Sequence, residues 1–164
     1  MNKKNNLKKL IFPAVVLAAV ALLLIFTRNQ SPSDAISGGV REVKDSDIVI
    51  PTSSVTEQAA FYPAIMNGTR LEVIAVKAPD GTIRTAFNTC QVCYGSGRGF
   101  YVQEGDRLVC QNCGNRFSMS DVEVTRGGCN PVPITDEYKT VDNQNIIISK
   151  DYLAQAAVIF QNRK

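Results

Sequence analysis

Four of the five cysteines in this 164-residue chain fall in one short stretch, and they constrain its fold more than any other feature. They form two C-x-x-C pairs, Cys90 with Cys93 and Cys110 with Cys113, with 16 residues between the pairs. Two such pairs at this distance are typical of a tetrahedral site in which four thiolates surround one ion. We therefore predict that these four cysteines bind a metal.

The residues alone leave the occupant of this four-cysteine site open. Zinc would be structural, because four thiolates close its coordination shell. Iron would be redox-active, either as one iron bound by four thiolates or as a two-iron, two-sulfide cluster. Disulfides are a third alternative, since the cysteines of exported domains face an oxidising environment. A redox disulfide of the thiol oxidoreductase type is less favoured, because the flanks of both motifs resemble strand and glycine loop and not the start of a helix.

Composition excludes several functions. The chain contains no histidine, so it has neither a serine–histidine–aspartate triad nor a histidine-bound zinc or haem. Apart from four N-terminal lysines, residues 27–164 carry a net charge of −1, and no basic surface indicates nucleic-acid binding. We expect a non-catalytic protein, one that binds metal or transfers electrons, whose chemistry resides in its sulfur atoms.

Two further features belong to the region of the paired cysteines. Cys129 lies in a turn rich in glycine and proline, GGCNPVP, and is either a small buried residue or an accessory thiol near the metal. Aromatic side chains are expected to form an apolar wall that excludes water from the metal. These residues are Phe87, Tyr94, Phe100, Tyr101 and Phe117.

The N-terminal region predicts a membrane anchor. Seventeen consecutive apolar residues follow the four lysines, a length near the lower limit for a helix that spans a bilayer. The lysines should remain in the cytoplasm, which places the C-terminal domain outside it. A cleavable signal peptide is the main alternative. The predicted organisation is a basic cytoplasmic segment at 1–9, a single-pass anchor in membrane lipid at 10–26, a linker at 27–45 and an extracytoplasmic four-cysteine domain at 46–164.

The domain after the linker has the patterns of a mainly β protein. Asn67-Gly68, between AAFYPAIM and TRLEVIAVKA, predicts a two-residue hairpin turn, and Pro79-Asp80-Gly81 predicts a second turn into a third strand. NQNIIIS predicts a later strand, and KDYLAQAAVIFQNRK predicts a helix capped by Ser149 or Asp151. We expect a small β-sandwich or open barrel that carries two cysteine ligand loops and ends in a C-terminal helix.

Three segments closely resemble the FtrD-like membrane iron–sulfur protein family: IRTAFNTCQVCYG, VCQNCGNRF and GGCNPVPI, within about residues 61–134. The resemblance implies an iron–sulfur cluster, or another cysteine-bound metal, at the four paired cysteines. It also implies a membrane protein that accompanies an iron permease. Many members of the family have several membrane spans, whereas this sequence has one apolar run. A weaker similarity to Rieske domains lies in the layout of the second ligand loop, although Rieske domains have two histidines where this chain has cysteines.

These observations predict a membrane-anchored, extracytoplasmic protein that carries single electrons in iron uptake, together with an iron permease or a redox partner protein. Two alternatives follow from the same residues. One is a zinc-ribbon-like interaction module in which the metal only holds the loops together. The other is a metallochaperone in which Cys129 helps to pass metal to a permease.

Overall fold

A computed structural model describes residues 36–37 and 39–164. The predicted anchor at 10–26 and most of the predicted linker lie outside the described residues. No helix within the described part of the chain is long and apolar enough to cross a bilayer. The strands β1 to β13 span Ile36–Ser37, Val40–Arg41, Val43–Lys44, Ile48–Pro51, Ala60–Met66, Thr69–Lys77, Ile83–Cys90, Tyr101–Glu104, Arg107–Cys110, Arg116–Ser118, Pro131–Pro133, Thr140–Val141 and Asn145–Ile148. Helix α1 spans Lys150–Ala156, and 3-10 helices span Thr52–Ser54, Tyr94–Ser96, Met119–Asp121 and Ala157–Phe160.

A five-stranded sheet in the order β11-β7-β6-β5-β3 forms the centre of the domain. Its neighbouring strands are antiparallel except β3, which runs parallel to β5. The predicted hairpin turn is confirmed, since Asn67 and Gly68 join β5 to β6 with φ angles of 50° and 82°. Positive φ at both positions is what a two-residue turn between twisted strands requires. The second predicted turn leads into β7, which continues to Cys90 and so delivers the first metal-ligand candidate.

The two faces of the central sheet belong to different apolar clusters, because side chains alternate along each strand. In β6, Leu71, Val73 and Ala75 pack into one cluster, whereas Ile74 and Val76 pack into the other. The first cluster also contains residues of a three-stranded sheet, β12-β13-β4, and of the C-terminal helix. The second contains Cys90, Cys110 and residues of another three-stranded sheet, β10-β9-β8. β6 is therefore buried on both faces, and the cysteines lie on one side of the central sheet.

The predicted C-terminal helix closes the first cluster. The Ser149 side chain accepts a hydrogen bond from the Tyr152 N–H at 3.3 Å and forms the N-cap. Leu153, Ala157 and Phe160 are buried, although the helix changes from α to 3-10 geometry at Ala157. The sequence prediction of a mainly β fold with a C-terminal helix is confirmed. The three sheets that have three or more strands are open, and none closes on itself within the described residues.

The residues after the helix brace the first ligand loop. Arg163 donates to the Asn88 carbonyl at 2.9 Å and to the Glu72 carboxylate at 2.8 Å. The Lys164 N–H donates to the Gly97 carbonyl at 3.0 Å. A side chain at Gly97 would collide with the backbone carbonyl of Asn162, and its φ of 73° also favours glycine. The loop after Cys93 thus packs tightly against the C-terminal segment.

Candidate metal centre

The first cysteine pair lies where β7 ends. Cys90 is fully buried, and its Sγ accepts the backbone N–H of Cys93 at 3.2 Å and that of Val92 at 3.4 Å. Its own N–H donates to the Gly99 carbonyl at 2.6 Å. The turn therefore directs backbone N–H groups at the sulfur, an arrangement that stabilises a thiolate.

The second pair lies where β9 ends and repeats this arrangement of a strand followed by a turn. The Cys110 carbonyl accepts the Gly114 N–H at 2.8 Å, and the Cys110 N–H donates to the Asn115 carbonyl at 2.9 Å. Gly114 has a φ of 73°, which glycine adopts without a steric penalty. Cys110 is buried, whereas Cys113 is exposed.

Cys129 lies in a third loop, between β10 and β11, and both ligand loops bind this third loop. The Gln91 side chain donates to the Pro131 carbonyl at 3.2 Å and accepts the Gly127 N–H at 3.1 Å. From the second loop, the Asn115 side chain donates to the Cys129 carbonyl at 3.3 Å. The sequence predicted a tight turn at Cys129 and left open whether its thiol lies near the metal; the structure brings it among the other cysteines.

The sulfur atoms form one compact cluster. The Sγ atoms of four cysteines lie within 4.8 Å of one another, and these are Cys90, Cys93, Cys110 and Cys129. Cys129 Sγ is 3.3 Å from Cys90 Sγ and 2.9 Å from Cys113 Sγ. The fifth thiol, Cys113, is thus adjacent to the group without being one of its four members. That the paired cysteines are the metal ligands stays a prediction, and Cys129 is closer to the centre than the sequence indicated.

This donor set fits a thiophilic metal. Four metal–sulfur bonds of about 2.3 Å in tetrahedral geometry place the sulfurs about 3.8 Å apart, a separation that a group of sulfurs within 4.8 Å accommodates. Thiolates are ligands that zinc, copper(I) and iron–sulfur clusters share. The donor set therefore fits an iron–sulfur cluster or another thiolate-bound metal.

Electrostatics also favour a bound cation. Burial opposes ionisation of Cys90, but the backbone N–H groups that follow it in the turn prevail and lower its pKa. The hydrogen bond with Cys129 and the Asn115 N–H lower the pKa of Cys113 to about 7. Burial raises the pKa of Cys93 to about 11 and also raises that of Cys129. Thiols this close cannot all ionise unless a cation offsets their charge, and a metal ion would do so.

The apolar surroundings differ from the predicted aromatic wall. Tyr101 and Phe117 do pack in the same cluster as the cysteines. Phe87 lies in the other core, because residues three apart in a strand point to opposite faces and Cys90 is three residues further on. Tyr94 is 45% exposed, and Phe100 packs beneath the Arg163 guanidinium, 5.4 Å from the ring centroid. Aliphatic and methionine side chains complete the wall, and these are Ile74, Val76, Leu108, Met119 and Val122.

Sequence reasoning missed two polar residues that position the centre. Asn88 bridges β7 and β8, because its side chain accepts the Tyr101 N–H at 2.7 Å and donates to the Tyr101 carbonyl at 3.2 Å. Gln91 ties the first ligand loop to the third. The available signal was that amide side chains, Asn88 and Gln91, flank Cys90 in the sequence. An amide both donates and accepts hydrogen bonds, so it can bind backbone groups that have no partner in a sheet.

A comparison with family models matches residues 54–160 to the family described as membrane iron-sulfur containing protein FtrD-like. The matched segment contains all five cysteines, the three loops that carry them and the whole of helix α1 with its 3-10 extension. No curated protein and no solved structure matches the chain. The family resemblance seen in the sequence is thereby confirmed, and the likeness to Rieske domains stays a suggestion about topology.

Proposed function

Since the chain belongs to the FtrD-like family of membrane iron–sulfur proteins, we propose that it is a membrane-anchored, extracytoplasmic electron carrier that serves iron uptake. It carries single electrons at an iron centre bound by cysteine thiolates. Its partners are a donor or acceptor protein and an iron permease in the same membrane. The segment at 10–26 anchors it in the lipid.

The observation that carries this proposal is the compact group of four sulfurs in an otherwise apolar cluster. Cys90 and Cys110 are at most 1% exposed, so water has little access to that side of the centre. Exclusion of water lowers the solvent reorganisation energy when the centre gains or loses an electron. Solvent exposure and hydrogen bonds to sulfur also set the reduction potential of the centre. The exposed Cys113 brings the sulfur cluster to the protein surface, where a redox partner has access.

The protein's residues have structural tasks in this function. An iron centre would supply the reversible one-electron change. The turn after β7 directs the Val92 and Cys93 N–H groups at the Cys90 sulfur, and the turn after β9 directs the Asn115 N–H at the Cys113 sulfur. The cluster around Tyr101 and Leu108 keeps the centre dry on the side of the central sheet. None of these tasks needs a catalytic acid, base or nucleophile.

Metal and sulfide analysis of the full chain, purified in detergent without air, tests the proposal. We expect iron in stoichiometric amount, a visible sulfur-to-iron charge-transfer absorption and a reversible one-electron wave in voltammetry. Stoichiometric zinc, a featureless visible spectrum and no redox wave would rule out an electron carrier.

The same sulfur spacing favours one alternative, a zinc centre that only holds the three loops together, since zinc–thiolate bonds have the required length. In that case, chelation should unfold the loops, because metal binding and folding are linked at structural sites. Loss of metal would disorder the loops of an iron electron carrier as well. Only the iron centre, however, would change its absorption spectrum when dithionite is added. Reductant titration therefore distinguishes the two.

A further inference from the structure

Five thiols surround a centre that needs four ligands, so one thiol must remain outside the coordination shell. We propose that the resident ligands are Cys90, Cys93, Cys110 and Cys129, and that Cys113 is a free thiol at the solvent edge of the centre. This assignment breaks the symmetry of the two C-x-x-C pairs. It rests on the proposed function only in requiring a thiolate-bound metal.

The sulfur positions select Cys129. The four Sγ atoms that lie within 4.8 Å of one another include Cys129 and leave out Cys113. Cys129 Sγ also lies 3.3 Å from the Sγ of Cys90, a proposed ligand of the first pair. A metal that is equidistant from four sulfurs needs mutually close ligands, which the group with Cys129 provides.

Burial gives an independent argument. Cys90 and Cys110 are buried, Cys93 and Cys129 are half-buried, and Cys113 is exposed. The set with Cys129 thus encloses the metal from the protein side. The tyrosine hydroxyl of Tyr101 lies 3.9 Å from Cys129 Sγ, which gives this sulfur a polar neighbour of the kind that accompanies metal ligands.

Hydrogen bonds from the two paired-cysteine loops fix the position of the loop that carries Cys129. Besides its two side-chain bonds, Gln91 donates its backbone N–H to the Asn130 carbonyl at 3.0 Å. The Asn130 side chain in turn closes the loop by donating to the Gly127 carbonyl at 2.5 Å. Three hydrogen bonds therefore connect this loop to the two paired-cysteine loops, and a fourth joins Gln91 to Pro131 at the start of β11. Such bracing fixes the Cys129 backbone, which a residue that merely filled space would not need.

Alkylation of the metal-loaded full chain, followed by peptide mass spectrometry, identifies the free thiol without any substitution. The probe is iodoacetamide under anaerobic, non-denaturing conditions, and the metal-free chain is the control in which all five cysteines should react. We expect Cys113 to be alkylated in the loaded protein while the other four cysteines are protected at least about tenfold. Alkylation of Cys129 with protection of Cys113 would overturn the assignment, and so would protection of all five.

Two matched variants give a second measurement. Cys113→Ser should retain the metal content and absorption spectrum of the unsubstituted chain, whereas Cys129→Ser should lose metal or shift the spectrum. The assignment is wrong if Cys113→Ser empties the centre or if Cys129→Ser leaves content and spectrum unchanged. A chain that contains zinc would refute the electron carrier yet still identify the ligands, so the two proposals fail separately. A chain that binds no metal would refute both.

Discussion

Glu123 binds Lys139 at 2.7 Å inside the domain, where the lysine side chain is 3% exposed and the glutamate side chain 14%. Glu123 lies in the connection that leads from β10 to the third loop, and it has a φ of 69° that is unusual for a residue with a side chain. Its carboxylate also accepts the Thr85 N–H of β7 at 2.8 Å. This ion pair therefore fastens the connection towards Cys129 to the central sheet.

Removing one partner of this buried pair should destabilise the domain strongly. Lys139→Met leaves the Glu123 carboxylate buried without its cation, and we expect the free energy of unfolding to fall by about 3–5 kcal/mol. The matched control is Glu104→Gln, which breaks the ion pair between Arg116 and Glu104, whose side chains are more than half exposed. That change should cost no more than about 1 kcal/mol. Chemical denaturation measures both, and equal losses would contradict the structural role of the pair.

The first ligand loop should not tolerate a methyl group at Gly99. A Cβ there would lie 2.8 Å from the carbonyl carbon and oxygen of Cys93, so the turn that presents Cys93 would have to move. We expect Gly99→Ala to lower the metal content of the purified chain. Gly95→Ala is the control, because a Cβ at Gly95 meets no atom within 4 Å among the described residues and its φ is not positive. Similar metal content in the two variants would show that this loop adapts.

The Tyr101 hydroxyl should raise the reduction potential of the metal centre. Burial and then the hydrogen bond with Cys90 raise the pKa of Tyr101, so the hydroxyl keeps its proton and can donate to a sulfur. Tyr101→Phe removes that donor, and the more electron-rich sulfurs should make the reduction potential more negative. Voltammetry measures the shift. Tyr94→Phe, at a residue that is 45% exposed, should leave the potential unchanged.

Features of this fold that depend on a few adjacent residues could be predicted from the sequence, whereas contacts between distant residues could not. The Asn67-Gly68 turn and the Ser149 cap were predictable, because each follows from the conformations and hydrogen bonds of a few adjacent residues. The close approach of Cys129 to Cys90 was only suggested, since it depends on side-chain contacts of Gln91 and Asn115 with a loop more than ten residues away. Such long-range contacts leave no periodic pattern in a sequence.

The expectation for Phe87 failed for a different reason. Its distance from Cys90 in the sequence was taken as proximity in space, but the alternation of a β-strand separates residues three apart onto opposite faces. The same rule, applied to β7, would have placed Phe87 on the face opposite Cys90, and on that face its ring lies 5.8 Å from the ring of Phe160. Strand periodicity thus contained the information once the strand was known to continue to Cys90.

In the metal-free, reduced protein, Cys113 should be the most reactive thiol near neutral pH. Its pKa is lowered to about 7 by the hydrogen bond with Cys129 and by the Asn115 N–H, whereas that of Cys93 is raised to about 11. Because the thiolate is the nucleophile, alkylation of Cys113 should rise about tenfold between pH 6 and pH 8 and then level off. Rates of iodoacetamide labelling at each cysteine, followed by mass spectrometry across this range, measure the profile.

Cys129→Ala removes the hydrogen-bond partner and should move the midpoint for Cys113 to higher pH. An unmoved midpoint would mean that Cys129 does not stabilise the Cys113 thiolate, and that the contact between the two sulfurs has no electrostatic effect on the metal-free centre.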